Sequence, residues 1–162
     1  MSQIISPFED LKSYFQELAG LHRQVAGSFV HGDVRRFKER TRSSLTYPCL
    51  WLETPGQALR DNGAGSVTVE QVGAFCILWN SPDSSPDEQD QIWAQTNRIA
   101  LEFVARIRHD ARQRAQNLIA AEAFSLDPLD TLFVDNDFGW RVEFSLKKPI
   151  DLCHSSEPWN NA

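Results

Sequence analysis

The stretch Trp140-Arg141-Val142-Glu143-Phe144-Ser145-Leu146-Lys147 alternates apolar and polar side chains without interruption. Successive side chains of a strand point to opposite faces, so this period of two predicts a strand with Trp140, Val142, Phe144 and Leu146 in a core and their neighbours outside it. Upstream, Asp135-Asn136-Asp137-Phe138-Gly139 has turn composition and joins it to a shorter strand, Thr131 to Val134. Downstream, residues 149–162 carry Pro149, Pro158 and paired asparagines and are expected to form an irregular tail in which Trp159 has no evident partner. A single domain over residues 1–148 is the expectation for the rest.

A second long strand is expected from about Val67 to Trp79. Its first half alternates, with Thr68 and Glu70 facing out, whereas Ala74, Cys76 and Leu78 make its second half apolar on both faces. Leu45 to Glu53 is a further apolar strand, and Pro48 places it at a sheet edge or delays its pairing until after the proline. Between the two, Thr54 to Ser66 holds three glycines and a proline and is expected to be an exposed connection. Ser28 to His31 predicts a short strand followed by a turn or helical piece near Gly32-Asp33.

Two segments open on the same Ser-Pro-x-Glu pattern, which supplies a capping hydroxyl, a proline at the first helical position and a glutamate at the third. After Ser6, the residues Phe8, Leu11, Tyr14, Phe15, Leu18 and Leu21 recur at spacings of three and four, predicting a helix that ends near Gly20. After Ser85, the stripe Ile92, Thr96, Ile99, Phe103 and Ile107 predicts a long helix to about Asn117. Acidic residues in its first turn and arginines in its later turns match the helix dipole. Leu118 to Ser125 is apolar and alanine-containing and is expected to continue the helix or to form a second helical piece packed on the sheet, with a break at Asp127-Pro128. The result is an α+β fold, in the order α-β-β-α-β-β, with a mostly antiparallel or mixed sheet covered on one face by helices.

The chain has 162 residues, enough for one core, and its net charge of -6 gives no overall attraction to nucleic acid or an anionic membrane. Without a leader pattern or long apolar span, the expected location is cytoplasmic. Cys49, Cys76 and Cys153 form no CxxC pair; Cys49 and Cys76 are expected to be buried hydrophobes. The four histidines lack metal-ligand spacing, and no dinucleotide, phosphate-loop or hydrolase motif occurs. No catalytic residue, cofactor or metal is therefore expected. The remaining charge feature is a basic run containing Arg35, Arg36, Lys38, Arg40 and Arg42, which reads either as a solvated face or as a contact for an acidic neighbour or phosphate.

The segments Tyr47-Pro48-Cys49-Leu50-Trp51-Leu52-Glu53 and Asp137-Phe138-Gly139-Trp140-Arg141-Val142-Glu143-Phe144, together with the element order and the long middle loop, resemble small proteins of phage and prophage tail modules, in particular the tail-terminator and tail-completion family. The resemblance spans about 120 residues. It implies a ring-forming, non-enzymatic protein that caps the tail tube through subunit contacts, and it carries no catalytic residues. Contacts are then expected at Gln57 to Gly65 with Arg60, at the basic run Arg35 to Arg42, and at Trp159, with homo-oligomers and other protein subunits as partners. Two alternatives come from the residues themselves. One is a ligand pocket between helix and sheet lined by Trp51, Trp79 and Trp140; the other is an enzyme site around Asp135, Asp137, Arg141 and Glu143.

Overall fold

The computed structural model describes residues 4–41, 45–130 and 137–152. The chain runs through α1 (Pro7–Leu21), β1 (Phe29–His31), α2 (Val34–Thr41), β2 (Cys49–Leu52), β3 (Gly56–Asp61), β4 (Val67–Asn80), α3 (Pro86–Arg112), a 3-10 turn (Ala115–Asn117), β5 (Ala120–Leu129) and β6 (Asp137–Ile150). The fold is α+β, with the six strands among the described residues in one mixed sheet whose main path is β1-β2-β4-β6-β5. β3 pairs with the first half of β4 and β2 with its second half. Among the described residues, only the β1–β2 pair is parallel.

The long antiparallel β4–β6 pair is the spine of this sheet, with Val67 opposite Ile150 at one end and Asn80 opposite Asp137 at the other. The alternation in β6 works as its sequence requires, since Val142, Phe144 and Leu146 are buried while Glu143 is exposed. Gly139 is fixed by close approach: a Cβ there would lie 1.9 Å from the Ile77 carbonyl oxygen. One sheet face meets α1 and α3 in the main core, where Phe15 packs between Phe75 and Phe144 with ring centroids 5.4 Å from each. The same helices meet through polar groups, because the Tyr14 hydroxyl donates to Asp110 Oδ2 (2.8 Å) and Arg106 Nε donates to both Asp110 oxygens (2.9 and 3.0 Å). Burial and the adjacent Asp110 push the Tyr14 phenol up. Buried Lys148 of β6 closes the other end of α1 by pairing with Asp10.

Several expectations are corrected. Helices cover both faces: Phe37 of α2 is fully buried on the reverse face, in a smaller core with Val30, Cys49, Trp51, Cys76 and Leu78. Residues 54–66 are more than a connection, because β3 forms a hairpin with β4. Its six residues are exposed on both faces, so burial left no alternation to read. Leu118 to Ser125 is not helical, since β5 starts at Ala120, and Asp127-Pro128 does not break it. β5 is an edge strand, where a missing N–H costs no internal ladder bond, and Pro128 pairs opposite Trp140. α3 stops at Arg112, short of Asn117, where Arg114 enters the left-handed region at φ 52°. β6 begins at Asp137, inside the expected turn, and ends at Ile150, so Pro149 and Ile150 belong to the sheet rather than the tail. Among the described residues, α2, β3 and β5 add to the expected order of helices and strands. The expected strand Thr131 to Val134, with Asp135, Cys153 and Trp159, lies outside the described residues.

Pro48 behaves as its chemistry dictates: β2 begins one residue later, at Cys49, and is then paired on both sides. Cys49 and Cys76 are both fully buried, as expected of small apolar side chains. Among the described residues, no helix is long and apolar enough to cross a membrane.

Candidate protein-contact surfaces

Three surfaces gather the exposed polar and apolar groups, and the first is the outer edge of β1. In the parallel β1–β2 pair, Leu50 N–H donates to the Ser28 carbonyl (2.9 Å) and Gly32 N–H to the Leu52 carbonyl (3.0 Å). Residues 28, 30 and 32 thus face β2, which turns the backbone N–H and C=O of Phe29 and His31 outward. Among the described residues, no further strand pairs with that edge. A groove of about 770 Å³ runs along it, walled by Lys12 and Gln16 of α1 on one side and Arg36 and Glu39 of α2 on the other.

The local sequence builds that groove. Asp33 caps α2, its carboxylate accepting from Arg36 N–H at 2.9 Å. Gly32 has φ 121°, and a Cβ there would meet Arg36 Cδ at 2.6 Å, so the glycine lets the arginine stem lie across the end of the strand. His31 packs edge-on against Phe8 at 5.0 Å, and its Nε2 is buried with no hydrogen-bond partner among the described residues. Burial, then the cations Lys12 and Arg36, hold its pKa below the ordinary value.

Of the basic run, Arg36 lines the groove, while Arg35 pairs with Glu39 at 3.3 Å with 86% of its side chain exposed. An exposed pair four residues apart is worth about 0.3–0.5 kcal/mol, so little holds Arg35 to Glu39 against a competing carboxylate. Lys38 is half-buried on the same helix and Arg40 contributes its backbone to α2, whereas Arg42 lies outside the described residues. Lys12, Gln16 and His31 escaped the sequence reading. Lys12 and Gln16 carry only the signature of a solvated helix face, and a lone histidine has no spacing signal; the crossing of α1 over β1 brings them together.

The second surface is the β3–β4 hairpin. Its turn is held by side chains, with Asp61 Oδ1 accepting from Gly63 N–H (2.8 Å) and Asn62 Oδ1 from Ala64 and Ser66 N–H (2.9 and 3.1 Å). The Asn62-Gly63 dipeptide was the available hairpin signal. Leu59 and Val72 are exposed on opposite faces of this ribbon, at 58% and 55%. Arg60 pairs with Glu70 at 3.7 Å, so the structure leaves it on the hairpin and does not bring it to α2.

The third surface is the open part of the reverse sheet face. Arg141 donates to both oxygens of Glu53 (2.7 and 3.0 Å) and to Glu143 (2.5 Å), and Glu70 accepts from Ser145 (2.9 Å). These bonds raise the Arg141 pKa and hold Glu143 below its usual range. The described members of the expected enzyme group do not converge: Arg141 pairs with both Glu53 and Glu143, while buried Asp137 accepts from Asn80 Nδ2 at 2.8 Å, and Asp135 lies outside the described residues. The expected tryptophan pocket is also overturned. Trp51 lies in the small core on the reverse face, donating from Nε1 to the Gly32 carbonyl (2.9 Å), whereas Trp140 packs against Trp93 on the helix face. Among the described residues, no cluster of three or more His, Cys, Asp or Glu is placed to hold a metal.

Comparison of the chain with family models, with curated proteins and with solved structures finds no match in any of the three.

Proposed function

We propose that this chain is a non-enzymatic assembly protein, similar to phage and prophage tail-terminator or tail-completion proteins, which forms a homo-oligomer and joins other protein subunits. On this reading it acts in the cytoplasm during particle assembly. The observation that carries the proposal is the β3–β4 hairpin. All six residues of β3 are exposed, so that strand buries nothing in its own domain. Among the described residues, β3 is held only by its pairing with β4, yet its hairpin has a well-bonded turn and presents Leu59 of β3 on one face of the sheet and Val72 of β4 on the other. In a ring, such a ribbon meets the neighbouring subunit and buries both side chains.

Solution mass by light scattering across a concentration series tests this directly. A closed oligomer is expected, and the double variant Leu59→Asp with Val72→Asp is expected to shift it to monomer without loss of helical signal. A strict monomer at every concentration overturns the proposal. So does an oligomer whose mass the double variant leaves unchanged.

A further inference from the structure

We propose that the groove along the outer edge of β1 receives an extended segment of a partner protein, which adds to the sheet as a further strand and places an Asp or Glu side chain between Lys12 and Arg36. The inference deepens the assembly reading by naming the chemistry of a partner segment, and its test does not depend on ring formation.

Backbone geometry comes first. Phe29 and His31 are two apart on one strand, so their outward N–H and C=O groups are spaced by about 6.6–6.8 Å. That spacing matches alternate residues of an incoming strand, and main-chain bonds of this kind give affinity without demanding a particular sequence. β1 is only three residues long, which limits the added strand to a short stretch and guards the edge against indiscriminate pairing.

Charge supplies the selectivity. Lys12 and Arg36 reach the groove from different helices, and among the described lining residues they face a single carboxylate, Glu39, which lies beside a third cation, Arg35. The whole chain carries -6, but exposed charges are largely screened beyond about 8–10 Å, so a side chain in the groove senses the nearby cations rather than the distant acids. His31 lines the same groove, with its Nε2 buried and unpartnered among the described residues. A polynucleotide would also meet the cations, but it has no main chain to pair with Phe29 and His31.

The test uses the full chain and an eight-residue peptide alternating Thr and Glu, followed through the backbone amide resonances of Phe29 and His31. Saturable binding is expected, with shifts at those two amides and affinity at least tenfold above that of the matching Thr-Lys peptide. N-methylation of alternate peptide nitrogens should abolish it. The double variant Lys12→Glu with Arg36→Glu should reverse the preference, and Lys12→Glu alone, on the exposed side of α1, should narrow it. Equal affinity for the two peptides, shifts confined to other surfaces, or displacement by an oligothymidylate of equal charge each overturns the inference. Light scattering on the same samples separates it from the assembly reading. A closed ring that ignores the peptide removes this inference alone, and a monomer that binds the peptide removes the ring alone.

Discussion

His31 shows how one residue can be costly to charge and still be retained. Its ring is packed on Phe8, its Nε2 is buried, and Lys12 and Arg36 stand nearby, so the neutral form is favoured in the folded chain. A histidine whose folded pKa is depressed binds fewer protons than in the unfolded chain. Its contribution to stability is therefore complete above the ordinary value of 6.5 and is lost as pH falls through the folded value. The urea midpoint of the native chain should fall between pH 7.5 and pH 5.5, and His31→Gln, which cannot titrate, should show a smaller fall. Parallel pH profiles for the two chains would show that other groups carry the effect. The same residue explains why the candidate groove was invisible in sequence. Nothing in Phe29-Val30-His31 announces that Val30 turns into the small core while the backbone of its neighbours stays open; only the β1–β2 register decides it.

At the scale of elements, α1 and α3 begin alike in sequence but are not capped alike. Ser6 accepts from Glu9 N–H at 3.4 Å without a reciprocal bond, whereas Ser85 and Glu88 complete the box, Glu88 Oε2 accepting from Ser85 N–H at 2.8 Å. Replacing Ser85 by Ala removes the hydroxyl from that box and should lower unfolding stability by about 0.5–2 kcal/mol, measured by urea denaturation, with Glu88→Gln losing less. An unchanged midpoint in Ser85→Ala would mean that tertiary packing alone fixes the helix start. Both helices were legible because caps and a 3.6-residue stripe are local signals that packing then reinforces: Thr96, Ile99, Phe103 and Ile107 are all buried as their spacing demands. β5 was not legible for the opposite reason. Ala120, Ala121 and Ala123 favour helix, but pairing with β6 overrides that preference, and a bulge between Glu122 and Ser125, with Ala123 at φ 56°, breaks the alternation that would have betrayed a strand. β3 failed differently, since a strand that buries neither face has no pattern to show.

For the whole molecule, the sheet separates a large core under α1 and α3 from a small one under α2, and the two differ in what covers them. The large core is closed by a 15-residue and a 27-residue helix joined by the Tyr14–Asp110–Arg106 bonds. The small core is covered by an 8-residue helix whose fully buried anchor is Phe37. Helices that short are not stable by themselves, so α2 depends on Phe37 and is expected to open before the large core does. Cys49 and Cys76 lie beneath it, and burial pushes the pKa of both thiols well above the ordinary value, which keeps them protonated and unreactive while α2 is docked. In a Cys153→Ser background, alkylation of the two thiols should therefore begin at urea concentrations below the global unfolding midpoint. Phe37→Ala should move that onset lower still and shift the global midpoint less. Labelling that coincides with global unfolding in both chains would mean that the two cores open as one unit. Sub-global opening would instead make the α2 face, with Arg35, Arg36 and the β1 groove, the part of the molecule that reshapes most readily around a partner, while β4 and β6 hold the sheet in place.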